Sequence, residues 1–193
     1  VISHEHKCIF IHITKCAGKS VEQAFGLDLK HWHQNPTRVK HGTPHDWEYP
    51  QYWADYFTFT IIRNPLARAV SAFFFDYGRR DRRHGATKAA LYATGGSFDV
   101  FVRNVLPQFA NERSIFWPQS RWLDADYDYI ARVETLREDW PNICASVGLS
   151  VDLPHINRSA HDEWRAYYED KDTEQRVRAV YASDFDKLQE FYA

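Results

Sequence analysis

Apolar positions along the chain fall into three short runs of β-forming residues, and each run leads into a stretch with helical spacing. Residues 7–13, KCIFIHI, form the first run and end in a glycine-containing turn, which predicts a buried strand. Residues 19–26 then place Val21, Ala24 and Phe25 on one helical face. Residues 27–56 are polar, rich in His, Trp and Pro, and read as mostly irregular. YFTFTII, 56–62, is the second strand; Asn64-Pro65 ends it, and LARAVSAFFFDYG continues as an amphipathic helix with Pro65 near its first turn. Residues 79–95 open with a basic burst, RRDRRH, and continue as a loop or short helix. SFDVFVRNVL, 97–106, reads as a helix with Ser97 as its N-cap. YDYIARV, 127–133, is the third strand, followed by a helix from about Glu134 bent at Pro141. A connector over 148–157 leads to a largely helical segment, 160–192, with a capping pattern at Asp172-Thr173-Glu174. Strand, loop and helix in alternation predict an α/β fold, and the lack of repeats or linkers predicts one domain over 1–193.

Composition narrows the partners. The 193 residues carry 24 basic and 26 acidic side chains, a net charge of -2, so any anion site has to be built locally and nucleic acid is not an expected partner. The cysteines Cys8, Cys16 and Cys144 are odd in number and far apart, which speaks against a disulfide framework and against metal-ligand spacing. No apolar run reaches the roughly 18 residues of a membrane span. The chain opens at Val1 and contains no Met, which predicts that a preceding segment has been removed.

The first strand runs into FIHITKCAGKS, 10–20, whose end carries the last three letters of the nucleotide-binding pattern G-x-x-x-x-G-K-[ST]. Ile13 stands where the leading glycine belongs. A loop between a strand and a helix N-terminus presents backbone N–H groups that the helix cannot use, and here Lys15, Lys19 and the Ser20 hydroxyl lie among them. In an ATP site the second strand ends in an aspartate that helps to hold magnesium. Here the strand ends in TIIRNP, and Arg63 is suited to bidentate phosphate contact, not to a metal. Two anion sites without a magnesium site fit a ligand with two separated anionic groups. Arg63 and Ser71, eight residues on, are candidates for one group and the 15–20 loop for the other.

At these residues the chain resembles the sulfotransferases. FIHITKCAGKS is similar to their 5′-phosphosulfate loop, commonly F-I-H-I-P-K-T-A-G-T-S, and FTFTIIRNPLARAVSAFFF resembles their 3′-phosphate segment, F-x-x-V-R-N-P-x-x-R-x-x-S. YIARVETLREDW, 129–140, is similar to the family's strand-then-helix region, and LPHINRSAHDEWRAYYE with VYASDFDKLQEFY resembles its C-terminal end. Order and spacing agree over nearly the whole chain. The group it resembles is the carbohydrate type related to the heparan 2-O-sulfating enzymes and their small bacterial relatives.

The resemblance implies a three-layer α/β/α fold with a P-loop-NTPase-like central parallel sheet. It implies 3′-phosphoadenosine 5′-phosphosulfate (PAPS) as donor, adenosine 3′,5′-diphosphate as product, and no metal. By matching position, Lys15 is the loop lysine at the scissile bond, and Cys16, Ala17, Gly18, Lys19 and Ser20 complete the cradle. Arg63 and Ser71 would bind the 3′-phosphate, with Arg158 or Ser159 of the NRS stretch reaching the same group. Thr14, Cys16 and Lys19 depart from the family's Pro, Thr and Thr/Ser.

Sulfuryl transfer to a hydroxyl also needs a proton acceptor, and His suits neutral pH. In KHGTPHDWEYP, 40–50, His41 matches the first His of the family's H-G-H or K-H-x-T-A motif; Thr43 takes the second place, and His45, Asp46 and Glu48 are the alternatives. His12 reads as a satisfied core histidine, and His155 as a residue shaping the C-terminal loop. The arginines of GRRDRRHG, 78–85, either receive an anionic acceptor, a small molecule or a uronate-containing or sulfated glycan, or form a solvated run. The Trp residues near 32, 47, 53, 117 and 122 either stack on a sugar or belong to the core. NRS at 157–159 is also an N-glycosylation sequon; read as unglycosylated, it leans to a bacterial cytoplasm, with the Golgi lumen as the setting if an anchor was removed. The rival readings are a magnesium-dependent P-loop kinase or NTPase, and a domain that binds nucleotide or glycan without turnover.

Overall fold

The computed structural model describes residues 1–26, 42–46, 50–78, 85–154 and 161–192. Its class is the expected α/β, built on a mostly parallel four-stranded sheet in the order β1-β2-β3-β4. The strands are β1 (Ile2–Ser3), β2 (Cys8–Ile11), β3 (Phe57–Ile62) and β4 (Tyr129–Arg132). The pairs β2–β3 and β3–β4 are parallel, with Phe10 opposite Phe59 and Ile62 opposite Arg132. The short antiparallel β1, which pairs Ile2 with Ile9, was not expected: two residues carry no readable period.

The chain divides into two compact units, one of Val1–Arg63 and Arg121–Arg158, the other of Asn64–Ser120 and Ser159–Ala193. The first holds the sheet with helices α1 (Gly18–Ala24) and α6 (Leu136–Val147), the latter containing Pro141. Alternation along a strand sends successive side chains to opposite faces. One face carries Phe10, His12, Phe57 and Phe59; Phe10 and Phe59 stack at 4.9 Å, and Phe25, just past α1, stacks on Phe59 and meets Trp140 of α6 edge-on. Helices α1 and α6 therefore cover that face. The other face, with Ile9, Ile11, Thr60 and Ile62, is equally buried, as a sheet with layers on both sides requires. The mainly apolar runs of β-forming residues read in the sequence follow from this double burial.

The second unit is built on α2 (Pro65–Gly78), α3 (Gly85–Ala93), α4 (Phe98–Asn104), α5 (Leu106–Phe109), α7 (Lys171–Val180), α8 (Ala182–Lys187) and α9 (Gln189–Tyr192). Asn64 caps α2 by accepting from Leu66 and Ala67 N–H, and Ser97 caps α4 by accepting from Val100 N–H. The core gathers Val70, Phe73, Phe101, Phe116, Val177 and Tyr181. Arg68 is buried within it, donating to the Trp117 carbonyl at 2.8 Å. Asp76 holds two cations, Lys88 at 3.2 Å and Arg113 at 2.5 Å, with all three side chains largely buried. The capping pattern expected at Asp172-Thr173-Glu174 is corrected: α7 starts at Lys171, and the Asp170 carboxylate accepts from Asp172 N–H. Thr173 instead donates its hydroxyl to Asp99 of α4.

All three cysteines are buried and free. Trp122 is fully buried, which assigns it to the core and removes it from the sugar-stacking candidates. Among the described residues no helix is long and apolar enough to cross a membrane.

Candidate active site

The C-terminal ends of parallel strands are where α/β sheets bind ligands, because the following loops open there and helix N-termini face them. The loop after β2, residues 12–17, and Arg63, the residue after β3, both lie at that end of the sheet. Arg63 Nη1 donates to the Lys15 carbonyl oxygen at 3.4 Å, so two of the segments singled out in the sequence meet in one unit.

The loop takes an unusual path. Lys15 and Ala17 have φ values of 66° and 57°, the left-handed region that costs a residue with a Cβ roughly 1–2 kcal/mol. Cys16 N–H donates to the Ile13 carbonyl at 3.3 Å, and Ser20 N–H to the Ala17 carbonyl at 2.9 Å. The amides of Gly18 and Lys19 open α1, where an α-helix cannot use its own N–H groups. Cys16 is buried, with its thiol directed at the Thr14 carbonyl and its N–H at that of Ile13. Lys15 and Lys19 are half-exposed, and Ser20 is buried at the start of the helix.

Gly18 has a specific steric reason. A Cβ there would fall onto Cδ2 and Nε2 of the His12 imidazole, so only glycine allows the ring to lie against the helix start. His12 Nδ1 in turn lies 2.6 Å from Glu22 Oε1, with the side chains 6% and 0% exposed. The expected reading of His12 as a satisfied core histidine agrees with this pair. Glu22 itself was missed, because a carboxylate in a short amphipathic helix reads as solvent-facing.

The remaining site candidates divide in two. Ser71 belongs to the second unit, on α2, where it is buried. His41, Arg158 and Ser159 lie outside the described residues, as do Glu48, His155 and the arginines of 79–84. Of the alternative bases, His45 is exposed with Nε2 2.9 Å from the Asp124 carbonyl oxygen, and Asp46 accepts from the backbone and hydroxyl of Thr43. Among the described residues no three His, Cys, Asp or Glu side chains gather as a metal-holding group. The local chemistry is that of an anion receiver: two lysines, a hydroxyl and helix-opening amides on one loop, and a guanidinium bonded to the same loop.

The chain matches the model of one protein family, described as a sulfotransferase family, over residues 1–192. No curated protein and no solved structure matches it.

Proposed function

The chain belongs to the sulfotransferase family, and on that premise we propose that it moves the sulfuryl group of PAPS to a hydroxyl of a carbohydrate acceptor. The observation that carries this reading is the bond from Arg63 to the Lys15 carbonyl, which brings a guanidinium to the lysine-bearing loop. The donor set fits a nucleotide with anionic groups at both ends: cations, a hydroxyl and backbone amides. The family model runs through both units, which supports reading 1–193 as one sulfotransferase domain.

When bound, PAPS supplies a sulfuryl group whose bond to the 5′-phosphate oxygen breaks as the acceptor oxygen bonds to sulfur, leaving adenosine 3′,5′-diphosphate. In this reading Lys15 stabilises the negative charge that builds on the departing oxygen. Cys16 and Ala17 through their backbone, Gly18 and Lys19 through helix-opening amides, and Ser20 through its hydroxyl hold the 5′ end. Arg63 and Ser71 bind the 3′-phosphate, with Arg158 or Ser159 reaching the same group. His41 accepts the proton of the acceptor hydroxyl, a task suited to an imidazole near neutral pH. The arginines of 79–84 favour an acceptor that is itself anionic.

A thermal-shift comparison tests the donor. Adenosine 3′,5′-diphosphate without added metal is expected to raise the melting temperature, and ATP with Mg²⁺ to raise it less. Stabilisation by ATP with Mg²⁺ alone would overturn the donor reading in favour of a kinase or NTPase. Incubation with PAPS and a panel of glycans, followed by mass, then tests turnover and identifies the acceptor; diphosphate binding without any sulfated product would leave a binding domain.

A further inference from the structure

We propose that His12 and Glu22 are positioning residues of the donor loop: one buried hydrogen-bonded pair that holds the 13–17 turn in the form that receives the 5′ end of the nucleotide. The inference rests on the sulfotransferase reading of that loop for its ligand, but its geometry stands on its own.

The imidazole touches the loop's two anchors. His12 follows the last residue of β2 and stacks on Phe10 at 5.7 Å with nearly parallel planes, which ties the ring to the sheet. Its Nδ1 meets Glu22 in the second turn of α1. Its opposite edge fills the space that a Cβ of Gly18 would take, at the first residue of that helix. One ring thus fixes two successive turns of α1 relative to the strand end.

Between the anchors runs the turn with two left-handed residues, Lys15 and Ala17, neither of them glycine. A conformation of that kind persists only where its surroundings hold it. The dyad supplies such a hold, since loosening the helix start lets the turn relax and moves the amides and Lys15 away from where a bound anion needs them. Glu22, being buried and placed behind the turn, acts through His12 and not on the ligand.

The test compares His12→Ala, Glu22→Leu and Glu22→Gln, the last of which keeps an acceptor for Nδ1–H. Hydrogen exchange of the peptide spanning 13–20, calorimetric binding of adenosine 3′,5′-diphosphate, and separate KM values for PAPS and acceptor are the readouts. His12→Ala and Glu22→Leu are expected to speed exchange in that peptide, with β3 still protected. They are also expected to weaken diphosphate binding and raise the PAPS KM by about tenfold or more, leaving the acceptor KM in place. Glu22→Gln is expected to recover most of the loss. Gly18→Ala is expected to be as harmful as His12→Ala, and the double variant to bind better than Gly18→Ala alone, because the ring that the methyl strikes is gone. Should His12→Ala fail to fold, the Glu22 pair decides. Folded variants with wild-type exchange and affinity would overturn the inference and leave the donor assignment standing. A wild-type protein that binds no diphosphate would overturn the donor assignment, and the exchange data alone would then decide whether the dyad holds the turn.

Discussion

Arg63 Nη1 donates to the Lys15 carbonyl oxygen across 3.4 Å, so the guanidinium after β3 braces the loop after β2. A planar group with five donors can hold a backbone carbonyl and an anion at once, which an ammonium on a flexible stem does less well. Arg63→Ala is therefore expected to weaken adenosine 3′,5′-diphosphate binding by about 10- to 100-fold, from roughly 1.5–3 kcal/mol per hydrogen bond to a charged group. Arg63→Lys should fall between the two. Titration calorimetry measures both, and unchanged affinity in Arg63→Ala would remove this residue from the nucleotide site.

A substitution at Lys15 can separate binding from chemistry. If it stabilises charge that develops only as the sulfur–oxygen bond breaks, Lys15→Ala should lower kcat by about 10²–10³ while the acceptor KM stays put. Its left-handed backbone is no obstacle to the substitution, since alanine at position 17 already adopts that conformation. A rise in the PAPS KM with kcat unchanged would make the lysine a binding residue only.

The parts of this architecture that are legible in the sequence are those set by local burial and local caps. KCIFIHI and YFTFTII announce their strands because a sheet buried on both faces needs dense runs of β-forming residues, here apolar apart from His12, Thr58 and Thr60 within the buried stretch. Ser97 announces α4 because its hydroxyl reaches an amide three residues on. What tertiary partners decide is not legible. Asp172 and Thr173 look like caps, yet in the fold they face Arg103 and Asp99 across α4 and α7, leaving Asp170 to cap the helix. Glu22 is hidden for the same reason, although its place one turn after Gly18 puts it on the helix edge that His12 meets. The strand-loop-helix path of the loop is legible, but the inward turn of the Cys16 thiol is not, since it depends on the Thr14 carbonyl lying behind it.

Asp76 is expected to matter for stability more than any surface charge. It bridges Lys88 and Arg113, one through each carboxylate oxygen, in a largely buried trio, and Asp76→Ala would leave two cations there without their shared carboxylate. Breaking a buried ion pair from one side costs about 3–5 kcal/mol. Denaturant unfolding followed by circular dichroism should show a loss of that order, whereas Arg165→Ala, which removes an exposed pair with Glu163, should change stability by less than about 1 kcal/mol. A small effect at Asp76 would mean that water reaches the trio.

Acid should loosen the contact between α4 and α7. The Arg103 guanidinium, with help from the Thr173 hydroxyl, holds the Asp99 carboxyl below its ordinary value of 3.8. Arg176, and then Arg103, do the same for Asp172. A carboxyl whose pKa is lower in the folded chain stabilises it above the unfolded value and loses that contribution as pH falls through the folded one. The urea midpoint is therefore expected to decline below about pH 4, and Asp99→Asn to flatten that decline. Because these groups are exposed, added salt should shrink the difference. Parallel pH curves for the two proteins would show that Asp99 does not contribute.

The proton acceptor is the last assignment that a single comparison can test. His41 is the proposed base by its resemblance to the family's motif histidine, whereas His45 is exposed and its Nε2 is engaged with the backbone carbonyl of Asp124. A ring nitrogen that donates to a carbonyl carries its proton there and cannot accept another at that atom. His41→Ala is accordingly expected to lower kcat by about 10²–10⁴ with diphosphate affinity nearly unchanged, and His45→Ala to leave kcat close to wild type. The pH profile adds a second reading. An imidazole base gives a rate that falls on the acid side of about pH 6.5, and that limb should vanish in His41→Ala. If His41→Ala turned over at the wild-type rate while His45→Ala did not, the base would lie four residues further along the chain, and the contact with Asp124 would have to open before each transfer.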